Sequence, residues 1–156
     1  MNRYATCLLV SALVVLAGCG GKAEDQGSSS ASASPAPAAG KLLAKSLYDD
    51  GPRAADSPVD AAAAAAGEKL FSTKGCTACH AWGRKLTGPD LKDVTKQRTA
   101  TWMENQILHP DVMVKTDPIA RALFAQFALQ MPKQGLTETE AKQVVEYLKK
   151  RDKDGK

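Results

Sequence analysis

From about residue 57 onward, apolar positions recur three and four residues apart, and no run alternates as a β-strand does. Ala141, Val144, Val145 and Leu148 repeat at helical spacing behind Thr137-Glu138-Thr139-Glu140, a capping box that opens a last helix with one buried face. An earlier helix starts at Asp117-Pro118 and carries Leu123, Phe124 and Phe127 on one side. A further segment runs from Thr101 to Leu108 and ends at His109-Pro110. The first helix is predicted from Ser57-Pro58-Val59-Asp60, read as an N-cap, a first-turn proline and a first-turn acid. The alanine run 61–66 favours its continuation, and Lys74-Gly75 marks its stop. The pattern predicts one all-α domain over 57–152, followed by a short polar tail, 153–156.

The preceding stretch has a different texture. Residues 1–18 hold a basic Arg3 and an apolar run from Cys7 to Leu16, which is short for a bilayer-spanning helix. They read as a signal peptide. Leu16-Ala17-Gly18-Cys19 closes it and resembles a bacterial lipobox, with Cys19 as the lipidated first residue of the processed chain. The competing readings are an ordinary secretory signal or an uncleaved anchor. Residues 19–56 are rich in Ser, Ala and Pro and bury too little apolar area to offset chain entropy, so a disordered tether is expected. Leu42, Leu43, Leu47 and Tyr48 interrupt that polarity and suggest a short helix against the domain.

Cysteine usage brings in the chemistry. Of four cysteines, Cys7 falls in the signal and Cys19 at the lipobox, leaving Cys76 and Cys79 in the domain and none for a structural disulfide. Cys76-Thr77-Ala78-Cys79-His80 is the attachment signature of a c-type haem. Each thiol can add to one vinyl group, and His80 then lies beneath the iron as proximal ligand. A redox dithiol needs no trailing histidine and favours a βαβ setting. Half a zinc site would need two more ligands, and only His109 and scattered carboxylates remain. Net charge adds little: the chain carries +4, and removal of Arg3 with the signal leaves about +3. Lys74, Arg84, Lys85, Lys92 and Lys96 cluster around the motif, either as a steering ring for an acidic partner or as a solvated face. Lys149, Lys150, Arg151 and Lys153 suit the negative end of the last helix, and nothing points to nucleic acid.

From Gly67 to Leu148 the chain resembles class I, monohaem cytochrome c, in a bacterial lipoprotein form. Gly67 and Phe71 match the small and aromatic positions of that family's first helix, and Val144, Tyr147 and Leu148 fit the last helix that crosses it. Gly88-Pro89-Asp90-Leu91 resembles the family's loop after the haem motif. The resemblance implies a fold of three to five helices wrapped around one covalently attached haem c. It implies that Pro89 offers its carbonyl to His80, fixing the ring and raising its basicity. Trp102 matches an aromatic position near the haem edge and reads equally as core. Met131, before Pro132, lies where the family's distal methionine falls, and a thioether there would raise the reduction potential. Met113, placed in a loop after Pro110, and His109 remain competitors for the iron, as does an open site; Met103 reads as packing. Leu70, Leu86, Leu91, Ile107, Leu123, Phe124 and Leu129 are candidates to dry the pocket.

With both axial positions filled, the implied activity is one-electron transfer by a carrier rather than an enzyme. The expectation is a monomer that is lipid-anchored at Cys19, faces the periplasm of a bacterial envelope and serves a redox protein donor and acceptor. Gly20 after Cys19 points to the outer membrane rather than the inner. The alternatives are a haem enzyme or gas sensor with an open distal site, and a fixed subunit of a larger oxidase or reductase.

Overall fold

The computed structural model describes residues 45–155, so the expected signal peptide 1–18, the lipid-anchor cysteine Cys19 and the tether up to residue 44 lie outside the described residues. The described chain forms six α-helices: α1 (Ala61–Thr73), α2 (Val94–Gln97), α3 (Ala100–Leu108), α4 (Pro110–Thr116), α5 (Pro118–Phe127) and α6 (Glu138–Asp154), with 3-10 turns at Ala54–Asp56 and Cys76–Ala78. No strand occurs among the described residues. This is the all-α fold anticipated, with more helices than the three to five expected. His109-Pro110 does not end the helical path; the proline, whose missing N–H costs nothing at a helix start, opens α4.

α1 begins three residues later than Ser57 would place it. Asp60 is the N-cap, its Oδ1 accepting from the N–H groups of Ala62 and Ala63 at 2.9 and 3.0 Å. A carboxylate that satisfies two orphan donors beside the helix's positive end outcompetes a serine upstream. Ser57 instead closes the preceding turn, donating Oγ–H to the Ala54 carbonyl. Gly75, at φ +80°, takes the left-handed conformation that turns the chain out of α1 and into the cysteine turn.

The core is the crossing of α1 and α6. Ala64 and Ala141 are fully buried there, with Phe71, Val144, Tyr147 and Leu148 around them. Gly67 makes the approach possible: a Cβ at this position would run into the Gln143 carbonyl and sit 3.0 Å from the Tyr147 Cβ. Phe71 and Tyr147 pack at 5.4 Å between ring centroids, and Trp82 meets Phe71 at a tilt and Tyr147 edge-on. The capping box is present as read, with Thr137 Oγ1 accepting from the Glu140 N–H and Glu140 Oε2 accepting from the Thr137 N–H.

Two long-range ties complete the frame. Asp152, near the end of α6, is buried and accepts from the Asp93 N–H, the Thr95 N–H and the Thr95 hydroxyl, which seats the single turn of α2. Residues 45–56, expected as the end of a disordered tether, instead form a strap packed on the domain. Ser46 and Ala54 are buried, and Tyr48 packs on the core; the short helix suggested around Leu47 and Tyr48 is a series of bends, with Leu47 fully turned to solvent. Composition misled here because the strap is held by polar bonds to distant residues rather than by apolar area. None of the described helices is long and apolar enough to cross a membrane.

Candidate functional site

A cavity of about 210 Å³ opens between the cysteine turn and the faces of α3 and α5. Cys76, Cys79 and His80 line it, with Gly88, Pro89 and Leu91 from the loop after them. Trp102, Met103 and Ile107 from α3, Leu123 and Phe124 from α5, and Met131 from the loop that follows also line it. The two thiols and the imidazole reach the same space because the chain makes one tight turn. The N–H groups of Cys79 and His80 both donate to the Cys76 carbonyl, at 3.2 and 3.0 Å. Both cysteines are free and half-buried. Burial pushes the Cys76 thiol up; a backbone hydrogen bond opposes this, and the neighbouring Cys79 adds a smaller upward push.

Residues 86–91 fold back over that turn. Gly88 N–H donates to the Cys79 carbonyl and Leu91 N–H to the Ala81 carbonyl, at 2.9 and 3.0 Å. Asp90 Oδ1 accepts from the N–H groups of Gly83 and Lys92. The Pro89 carbonyl is thereby held 2.9 Å from His80 Nδ1. With Nδ1 engaged, Nε2 is the ring nitrogen left for a metal. Burial lowers the His80 pKa, and the Pro89 carbonyl partly offsets this, so the neutral, ligating form is favoured at neutral pH. Gly88 has no room for a side chain: a Cβ would meet His80 Cε1 at 2.8 Å and the Cys79 carbonyl at 3.0 Å.

The distal candidates fall in different places. Met131 is half-buried and lines the cavity. Met113, expected in a loop, lies on α4 with 1% of its surface exposed and is not among the cavity-lining residues. His109 is exposed at the junction of α3 and α4, outside the cavity. Met103 lines the cavity from α3 but is buried in the core cluster. Of the apolar set expected to dry the pocket, Leu91, Ile107, Leu123, Phe124 and Leu129 line it, whereas Leu70 packs on the core and Leu86 is exposed. Within the basic cluster, Lys96 pairs with Asp93 at 2.7 Å and Lys74 with Glu140 at 3.8 Å, which weakens the picture of a uniform free ring.

Trp102 presents its ring to the cavity while its Nε1–H donates to Asp117 Oδ1 at 3.0 Å. Asp117 is 1% exposed and caps α5 through the N–H groups of Ile119 and Ala120. Its grip on Trp102 was not foreseen, although Asp117-Pro118 had been read as a helix start. Gln106, also unforeseen, lines the cavity with a buried Oε1 that lacks a partner.

A domain profile described as cytochrome c matches residues 64–152. The chain is 34% identical over 82 residues to cytochrome c-551 of Azotobacter vinelandii, covering 53% of this chain and 93% of that protein. It is 33% identical to cytochrome c-551 of Ectopseudomonas mendocina, over 54% of this chain and 95% of the relative. Among solved structures, cytochrome c from Rhodothermus marinus superposes with a TM-score of 0.60 at 36% identity, over 62% of this chain and 83% of that one. The chain belongs to the cytochrome c family, as a class I, monohaem member. Its cofactor is a covalently attached haem c, and its chemistry is electron transfer through that group. The cavity fits such a group. It offers two free thiols on one turn, an imidazole oriented through its other nitrogen, a glycine packed close against that ring and a largely apolar lining.

Proposed function

We propose that Cys76 and Cys79 carry the haem as thioethers, that His80 and Met131 are its axial ligands, and that the protein is a lipid-anchored, periplasm-facing electron carrier rather than an enzyme. The observation that carries this reading is the lining of the cavity. Cys76, Cys79, His80 and Met131 all line it, whereas Met113 and His109 do not. When bound, the haem supplies a one-electron Fe(III)/Fe(II) couple. The chain's own residues do the rest. Pro89 fixes the His80 ring, and His80 and Met131 together would leave a bound iron no vacancy for a substrate. The thioether of Met131 favours the reduced metal and raises the potential. Leu91, Ile107, Leu123 and Phe124 exclude water, which limits solvent reorganisation during transfer. The lipobox at Cys19 supports an anchor, and Gly20 favours the outer membrane. Redox proteins of the envelope are the donor and acceptor, met by a monomeric domain on a tether.

The test is the visible spectrum of the dithionite-reduced protein with and without carbon monoxide. An unchanged c-type spectrum, together with a CO-sensitive Met131→Ala variant, is the expected result. A large CO shift in the unaltered protein would remove Met131 from the iron and favour an open-site enzyme or sensor. Fractionation of the same cells checks the anchor, since Cys19→Ala should move the protein to the soluble fraction.

A further inference from the structure

We propose that the strap, residues 45–56, is a clamp that sets the position of the distal wall, with Ser46 and Asp49 as its positioning residues. The inference rests on the reading of Met131 as the distal ligand. Its basis is where the strap's polar bonds land. Asp49 Oδ1 accepts from the Thr99 N–H at 2.8 Å, and Thr99 Oγ1–H donates to the Tyr48 carbonyl at 2.6 Å. Thr99 is the N-cap of α3. Ser46 Oγ–H donates to Asp117 Oδ2, and Asp117 is the N-cap of α5. Three strap residues, Ser46, Tyr48 and Asp49, therefore hold the first turns of two helices that line the cavity. Trp102 ties the two caps together through its bond to Asp117.

The strap is itself stiffened for this task. Ser46 Oγ accepts from the N–H groups of Tyr48 and Asp49, so one hydroxyl organises the bend and grips Asp117. Asp49 also pairs with Arg53 at 3.1 Å and with Arg98 at 3.3 Å. Arg53 reaches the Gln97 carbonyl, and Ala54 N–H donates to the Arg98 carbonyl.

The energetics favour a positioning role. Asp117 is buried, so its carboxylate must be surrounded by donors. Oδ1 has three of them: the Trp102 indole and the N–H groups of Ile119 and Ala120. Oδ2 draws its bond from Ser46. Loss of that hydroxyl leaves a buried carboxylate oxygen under-satisfied, and the cheapest relief is for the start of α5 to shift toward water. The far end of α5 runs through Ala128, held at φ +52°, directly into the Met131 loop. A rocking α5 moves that loop.

The test uses the full-length, haem-loaded ferric protein and imidazole as the probe, because imidazole must displace the distal ligand to reach iron. Ser46→Ala and Asp49→Asn are compared with Asp152→Asn, which loosens the α2–α6 tie and touches neither the α3 cap nor the α5 cap. The strap variants should bind imidazole about tenfold more tightly, the effect of one charge-assisted hydrogen bond at about 1.4 kcal/mol per decade. Asp152→Asn should lower the melting temperature without that gain. Equal gains in all three variants, or none in the strap pair, would overturn the clamp. Met131→Ala separates the two readings: if it leaves imidazole binding unchanged, the ligand assignment has failed. The clamp is then decided by amide exchange alone, where Ser46→Ala should deprotect Ile119 and Ala120, and unchanged protection would overturn it.

Discussion

The α1–α6 crossing and the distal wall are built from similar material and finished differently. α6 buries Ala141, Val144, Val145, Tyr147 and Leu148, and although Val144 and Leu148 also border the cavity, its crossing with α1 leaves no room even for a Cβ at Gly67. α5 is the more apolar helix, yet only Ala120 of its length is buried. Phe124 is 42% exposed and Leu129, just beyond α5, is 50% exposed, both beside the cavity. Leaving large side chains half-covered forfeits much of the roughly 25 cal/mol per Å² that burial supplies. A cofactor held in the cavity that α3 and α5 line would recover it. One half of the domain is thus a scaffold in its own right, while the other is a surface cut to fit a cofactor.

That contrast is broken most severely at Gly67. Gly67→Ala drives a Cβ into the α6 backbone, which cannot yield as a flexible side chain could. The expected loss is about 3 kcal/mol or more, a fall on the order of 15 °C in melting temperature by circular dichroism. An unchanged melting curve would mean that the close crossing is not what holds the scaffold. A sharper separation comes from the double variant Cys76→Ser, Cys79→Ser purified free of haem. Amides of α1 and α6 should stay protected from exchange while those of α5 and residues 129–136 lose protection. Uniform loss across all helices would refute the division. The smallest effect is at the capping box, where Thr137→Ala should cost about 1 kcal/mol and leave the haem spectrum alone. Its partner Glu140 has a pKa depressed below its ordinary 4.5, first by the Thr137 N–H. Its contribution is therefore present above pH 4.5 and fades as pH falls through the lower folded value. Glu140→Gln should flatten that part of the acid-unfolding profile.

Local features of the sequence were legible. The cysteine turn, the Gly88-Pro89 loop, the capping box and the Asp117 start of α5 each declare themselves within a few residues, because the physics behind them acts over one turn of chain. What stayed hidden is non-local. Asp152 looks like a surface acid until α2 places Asp93 and Thr95 against it. Ser46 and Asp49 sit in a stretch whose composition signals disorder, and their partners lie 71 and 50 residues away. The α1 start shifted from Ser57 to Asp60 because two plausible caps competed, and the stronger acceptor won. Met113, read as a loop residue, is carried by α4 into the core.

The bond between His80 and Pro89 closes a loop of nine residues, whereas the one between Ser46 and Asp117 closes a loop of 71. The longer closure costs about 2 kcal/mol more in chain entropy, and both partners must already be in place when it forms. The cofactor's near side is therefore joined by short-range encounters, while the strap can close only over a wall already laid down.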